Sequence, residues 1–271
     1  MIHFISGLPR SGSTLLASLL NQNPRFSAHV QSPLGQIITT VVEAMSAGIN
    51  ESALFLTGDQ REEILRGIFS SYYLGYPAVV FDTNRRWCAN MGLVARLFPD
   101  AKVIACVRPP AQIVDSFERL FARDPTQVSR VLQAANMSIY DRVNRLMHPA
   151  SVVGFSWNAL RDGYFGPYAG QIVLLEFQHL VNDPLKALRD LHAVIDEPWY
   201  EYDIRAVQNL SGVELLDWEL GTPGMHSLKP EVDYIPVPPM LPADIAMTLP
   251  APFWLHDDQE DSGVKSSGEA S

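Results

Sequence analysis

Only two cysteines, Cys88 and Cys106, occur in the 271 residues. Two are too few for a disulfide framework or a structural zinc site. Cys106 sits in the apolar run "KVIACV" and reads as a buried free thiol, which suits a reducing cytoplasm. No stretch approaches the roughly 18 consecutive apolar residues of a membrane span. Met1 runs straight into "IHFIS" without a basic and then apolar leader, so no export signal is expected. Positive charge is scarce as well. Against 30 Asp and Glu stand 20 Lys and Arg, for a formal charge of −10. Such a balance argues against nucleic acid as a partner, because phosphate contacts need a basic surface. Part of the excess is local: the final "DDQEDSGVKSSGEAS" holds five acids and one base. Its polar, Ser- and Gly-rich composition predicts a disordered acidic tail over 256–271, behind one domain over 1–255.

Within that domain, short β-branched runs alternate with longer helical patterns, which predicts an α/β fold with a parallel sheet flanked by helices. The expected strands are "IHFIS" (2–6), "AVVFD" (78–82), "KVIACV" (102–107) and "QIVLLEF" (171–177). The second and third are almost continuously apolar, as strands buried on both faces are. Helical periodicity marks "TLLASLLNQ", "GDQREEILRGIFSSYYL" and "PPAQIVDSFERLFAR". The second of these opens with Asp59 and Glu62 at capping-box spacing, and the third has proline in its first turn. Two further helices are expected, from Val128 to Leu146 and from Pro184 to Val194. After about residue 210, Pro and Gly accumulate in "LGTPGMHSLKPEVDYIPVPPMLP", which predicts a surface-wrapping loop segment. No internal repeat is visible.

Chemistry concentrates in "SGLPRSGSTLL", residues 6–16. Gly7 and Gly12 have the G-x-x-x-x-G spacing of a phosphate-binding loop, and Thr14 stands where a magnesium-binding hydroxyl would be. The lysine that should follow Gly12 is replaced by Ser13, and a cation appears earlier, at Arg10. A glycine-rich turn between a strand and a helix directs backbone N–H groups and the positive end of the helix dipole at one point. Arg10 adds a planar, permanently charged fork that neutralises a phosphate or sulfate without metal. A second anion signal follows 90 residues on, where "KVIACVRPP" ends a strand with Arg108 and the next helix carries Gln112 and Ser116. Ligands of open α/β sheets gather at the carboxyl ends of the strands, so the two signals fall on one edge.

Together, "LPRSGSTLL" and "LVARLFPDAKVIACVRPPAQIVDSFERL" resemble the nucleotide-binding elements of sulfotransferases that use 3′-phosphoadenosine 5′-phosphosulfate (PAPS). A weaker echo lies in "LLEFQHLVNDPLKAL", with Phe177 in an aromatic position. The look is closest to tyrosyl-protein sulfotransferases and their bacterial relatives. The resemblance implies a P-loop-kinase-like fold, PAPS as sulfuryl donor, no metal, and a hydroxyl acceptor such as a tyrosine-containing peptide. It assigns Arg10, Ser11, Gly12, Ser13 and Thr14 to the 5′-phosphosulfate, and Arg108 and Ser116 to the 3′-phosphate. Neither a nucleic-acid nor a membrane partner is implied, and a homodimer is compatible with it.

Two departures bear on catalysis. Gln31 stands where the tyrosyl-protein enzymes carry a glutamate base. Their strand-end lysine is replaced by "FDTNRRW", which offers Arg85 or Arg86 instead, and Arg10 and Arg85 are the candidates to balance charge at the leaving oxygen. Three residues are candidates for the base: Asp82 at the end of "AVVFD", His29 in "RFSAHVQSP", and His226 in "GTPGMHSLKPEV". Lys229, in the same late loop, is a further cofactor-binding candidate. Tyr72, Tyr73, Trp87 and Trp157 are either acceptor-pocket or core residues, and a basic groove for an acidic peptide would need Arg85, Arg86, Arg119, Arg123 and Arg130 to converge. The competing readings are a magnesium-dependent P-loop kinase or NTPase, disfavoured by the missing lysine, and a nucleotide-binding protein without catalysis.

Overall fold

The computed structural model describes residues 1–255 except 125, 127, 134 and 234, together with the backbone of 264–266. In chain order its elements are β1 (Ile2–Gly7), α1 (Ser13–Leu20), β2 (Phe26–Ala28), α2 (Leu34–Ala44), α3 (Gly58–Tyr72), β3 (Val79–Thr83), α4 (Met91–Leu97), β4 (Val103–Val107), α5 (Pro110–Phe121), α6 (Ile139–Met147) and α7 (Val152–Tyr164). There follow β5 (Ile172–Glu176), α8 (Phe177–Asn182), α9 (Pro184–Val194), α10 (Val213–Glu219), α11 (Ala243–Thr248) and β6 (Val264–Ser266). The strands form one sheet in the order β2-β3-β1-β4-β5-β6, parallel throughout except for β6, which runs antiparallel to β5.

Strand alternation sorts the apolar residues into two layers. Phe4, Val80, Val103, Ala105 and Leu174 face one side, where Phe69, Trp87, Phe117 and Leu160 complete a core. Ile5, Phe81, Ile104 and Val173 face the other, against Leu16, Leu19 and Leu20 of α1 and Leu188 and Leu191 of α9. With both faces covered, the strands need the near-continuous apolar runs that the sequence shows. Both thiols are buried in these layers, and burial pushes Cys88 up to about 11 and Cys106 up to about 12, which keeps them unreactive at neutral pH. Among the described residues no helix is long and apolar enough to cross a membrane.

The four expected strands and the helix from Pro184 to Val194 form where periodicity places them. Three points differ from the expectation, two as corrections and one as an addition. Helix α3 is capped two residues earlier than Asp59: the Thr57 side chain accepts from the Gln60 N–H, and the Gln60 side chain takes the Thr57 N–H in return. The helix expected from Val128 shrinks to Ile139–Met147, because Gln133 and Asn136 turn left-handed and Ser138 starts a new helix with its own capping box to Asp141. The third concerns β2, an added edge strand of three residues that is too short to announce itself by alternation. Of the expected acidic tail, Val264–Ser266 forms β6; the remainder lies outside the described residues.

Candidate active site

The front turn is set by a steric fact. A Cβ on Gly7 would stand 2.3 Å from the Cys106 carbonyl oxygen, so β1 leaves the sheet pressed against β4 as only glycine can. The Leu8 N–H then bonds that carbonyl at 2.8 Å. Gly7, Arg10 and Gly12 all have positive φ, at 92°, 59° and 92°. Three left-handed residues in six curl the backbone into a nest of N–H groups. Gly12 is also the N-cap of α1, and no side chain caps the helix, so its first amides are left for an outside acceptor.

A cavity of about 280 Å³ opens over this turn. Pro9, Arg10, Gly12, Ser13 and Thr14 form its floor; Arg85, Gln31 and Asn84 stand on the β3 side, Arg108 and Phe177 on the β4 and β5 side, and Met225–Lys229 close it from the late loop. Arg10 and Arg108 therefore share one cleft. Arg108 donates through Nη1 to the Arg10 carbonyl at 3.2 Å and through Nε to Gln112 Oε1 at 3.1 Å, while its guanidinium lies 4.2 Å over the Phe177 ring. Arg10 donates through Nε to Ser116 Oγ at 3.1 Å and through Nη1 to the Met225 carbonyl. Its guanidinium thus reaches away from the turn it springs from toward Ser116, which does not itself line the cavity. Burial, then the neighbouring cations Arg108 and Arg123, lower its pKa to about 10, with Asp217 acting the other way. It remains a cation at neutral pH. Like charges gathered this closely are costly unless an anion comes between them.

Arg85 opens to the solvent of the cavity although protein surrounds it on most sides; that crowding lowers its pKa. Lys229 is largely exposed, with Nζ 3.3 Å from the Asp233 carbonyl. His226 is held by a carboxylate that sequence reasoning missed. Asp217, on α10 and 1% exposed, accepts from the His226 backbone N–H at 2.8 Å and lies 2.5 Å from ring Nδ1 through its other oxygen. That contact assigns the proton to Nδ1 and leaves Nε2 as the ring's acceptor. Burial lowers the His226 pKa, Asp217 raises it, and Arg10 and Arg85 lower it further, with a net downward shift. No local pattern could reveal this pair, since eight residues of helix and loop lie between its members. Only a histidine in a Gly- and Pro-rich segment hinted at it.

Several expected site residues fall elsewhere. Asp82 is fully buried, accepting from the Tyr73 hydroxyl at 2.6 Å and Trp87 Nε1 at 2.7 Å, and does not line the cavity. It is a core carboxylate with both oxygens engaged, away from the cavity. Burial raises its pKa despite those hydrogen bonds. Ser11 is 1% exposed and its hydroxyl donates to the Pro9 carbonyl, so it can offer an anion only its backbone. His29 packs edge-on against Tyr76 outside the cavity, and Arg86 lies outside it too. Tyr73, Trp87 and Trp157 are core residues, and Tyr72 does not reach the cavity. The basic groove does not form: Arg119 pairs with Asp115 at 2.8 Å and Arg130 with Glu219 at 3.3 Å.

The sulfotransferase family model matches residues 3–201, and the chain belongs to that family. Among solved structures, the sulfotransferase domain of the Synechococcus PCC 7002 olefin synthase is 20% identical with a TM-score of 0.50, covering 91% of this chain and 93% of that one. A sulfotransferase from Alicyclobacillus acidocaldarius is 15% identical (TM-score 0.49; 81% and 91% covered), and the sulfotransferase domain from the curacin biosynthetic pathway is 17% identical (TM-score 0.49; 74% and 75% covered). No curated protein matches the chain. At these identities the likeness to solved structures is one of fold.

Reassigning Asp82 to the core has a measurable consequence. Asp82→Ala leaves the Tyr73 hydroxyl and the Trp87 indole N–H without an acceptor, and should lower unfolding free energy by about 3 kcal/mol in urea denaturation. Binding of 3′,5′-ADP to the folded fraction should stay within roughly twofold of wild type, as for a residue outside the cavity.

Proposed function

We propose that the protein transfers a sulfuryl group from PAPS to a hydroxyl acceptor. The observation that carries this is the pair of anion-favouring groups in one cleft, the uncapped nest at Gly12–Thr14 and the Arg10 and Arg108 guanidinia beside it, with Ser116 held by Arg10 just outside the cavity lining. A donor with phosphate at both ends of an adenosine needs such a pair. In this reading the turn amides, Ser13 and Thr14 hold the 5′-phosphosulfate and Arg108, Ser116 and the Arg10 guanidinium hold the 3′-phosphate. Arg85 faces the bond that breaks. Lys229 closes over the nucleotide from the late loop.

The chemistry is an in-line displacement at sulfur. The acceptor oxygen forms a bond to sulfur, the bond from sulfur to the 5′-phosphate oxygen breaks, and 3′,5′-ADP leaves with the electron pair. Charge grows on that leaving oxygen, and Arg85 with the turn amides is placed to offset it. His226 Nε2 takes the acceptor's proton while Asp217 steadies the imidazolium that results. A base in the late loop accounts for Gln31, whose amide cannot accept a proton. The acceptor is left at the class of an alcohol or phenol. A peptide tyrosine has the right group, but the arginines that would have bound its acidic flanks are paired elsewhere. The buried, unbridged thiols suit a cytoplasmic setting.

Calorimetric titration with 3′,5′-ADP and with ATP, each with and without Mg²⁺, tests the donor assignment. Binding of 3′,5′-ADP without metal supports the reading, and ATP binding that requires Mg²⁺ favours a kinase. Arg108→Ala should weaken 3′,5′-ADP by about 2 kcal/mol, roughly 30-fold, and leave adenosine 5′-phosphosulfate little changed. Equal losses for both would remove the 3′-phosphate assignment.

The lowered His226 pKa fixes a pH dependence. A base must be unprotonated to act, so kcat/KM for transfer of labelled sulfate to 2-naphthol or a tyrosine peptide should fall as pH drops through the folded His226 pKa. The midpoint should lie below the ordinary histidine value of about 6.5. In His226→Gln that acid limb should be gone along with most of the rate; an unchanged limb would assign the proton transfer elsewhere.

A further inference from the structure

Two consecutive residues of the late loop are each gripped by a different part of the site. The Met225 carbonyl accepts from Arg10 Nη1. Both the backbone N–H and the ring of His226 are held by Asp217. Arg10 is the link to the rest, because its Nε bonds Ser116 and its own carbonyl accepts from Arg108. One side chain thus spans from the anion-binding group after β4 to the residue immediately before His226.

We propose that Arg10 is a positioning residue that couples an anion held by Arg108 and Ser116 to the His226 ring, so that the 3′-phosphate of the nucleotide sets the proton acceptor as well as the affinity. The coupling rests on the sulfuryl-transfer reading above. Its physical basis has two parts. A phosphate between Arg10, Arg108 and Ser116 offsets the charge on Arg10, which otherwise acts on His226. It also fixes the Arg10 fork that carries the Met225 carbonyl. The charged groups facing His226 are Asp217 from α10, Arg10 from the front turn and Arg85 from the turn after β3; Lys229, Glu231 and Asp233 of its own loop line the same cavity. Arg85 stands on the 5′ side of the cleft, and Asp217 touches no nucleotide-facing residue except His226 among its hydrogen-bond partners. A nucleotide with a 3′-phosphate therefore differs from one without it chiefly at Arg10. An enzyme so built would discriminate against a donor lacking the 3′-phosphate in turnover, beyond what binding supplies.

The test reads the His226 ring directly by NMR titration against pH, with its signal assigned by comparison with His226→Gln. Saturating 3′,5′-ADP and saturating 5′-AMP are compared in wild type and in Arg10→Gln. In wild type, 3′,5′-ADP should raise the His226 pKa by about half a unit or more beyond the rise given by 5′-AMP, because a cation depressing the ring is offset. In Arg10→Gln the nucleotide-free value should already be higher, and the excess should vanish while 3′,5′-ADP still binds through Arg108. Equal shifts from the two nucleotides in wild type would overturn the coupling, and this comparison stands whether or not the variant folds. An excess that persists in Arg10→Gln would overturn it as well. Failure of wild type to bind 3′,5′-ADP without metal would instead overturn the sulfuryl-transfer reading itself.

Discussion

Where β1 hands over to its turn there is no room for a side chain. A Cβ at residue 7 would lie against the backbone of the neighbouring strand, 2.3 Å from one oxygen and 2.6 Å from one nitrogen of Cys106. The close approach ties the mouth of the turn to the end of β4, the strand that delivers Arg108. Because the sheet is parallel, β1, β3 and β4 end on the same edge, and each end supplies part of one cavity. The turn contributes amides and an uncapped helix, β4 contributes a guanidinium, and β3 leads into Arg85. Nothing in this arrangement requires the lysine missing after Gly12, since the positive charge arrives as separate arginines from three connections.

Those arginines also reconcile an acidic protein with the anionic ligand proposed for it. Net charge governs solubility and long-range encounter; local fields inside a cleft are set by the few groups that line it. Carboxylates do enter the neighbourhood: Glu231 and Asp233 line the cavity beside Lys229 and Asp217 faces His226, while Arg10, Arg85 and Arg108 supply its cationic lining. In the proposed reaction the acid–base part comes from a different region altogether. The glutamine at 31 lines the cavity without an ionisable group, and the Asp217–His226 pair is supplied by α10 and the late loop.

Much of this was legible in the sequence, for identifiable reasons. Strands buried on both faces write themselves as continuous apolar runs, so β1, β3, β4 and β5 were readable within a residue or two. The front turn was readable because Gly7 and Gly12 are demanded by backbone geometry and not by partners far away. What escaped depends on tertiary contact. Asp82 at a strand end looked poised for the cleft, yet alternation turns it into the layer holding Tyr73 and Trp87. The Arg10 side chain belongs to the group around Ser116, 106 residues away, which its position in the turn could not show. Asp217 became visible only once α10 was placed against the late loop. Local exceptions did the rest: left-handed residues at 133 and 136 broke a helical period, and Thr57 with Gln60 outcompeted Asp59 for a cap.

The central claim is that one nucleotide spans the two anion sites with its ends in a fixed order. A crystal structure of the protein with 3′,5′-ADP tests it most directly. The account predicts the 5′-phosphate on the amides of Gly12–Thr14 and the 3′-phosphate within hydrogen-bond reach of Arg108 and Ser116. A nucleotide bound in the reverse sense, or bound outside the cleft that Arg10 and Arg108 share, would contradict it.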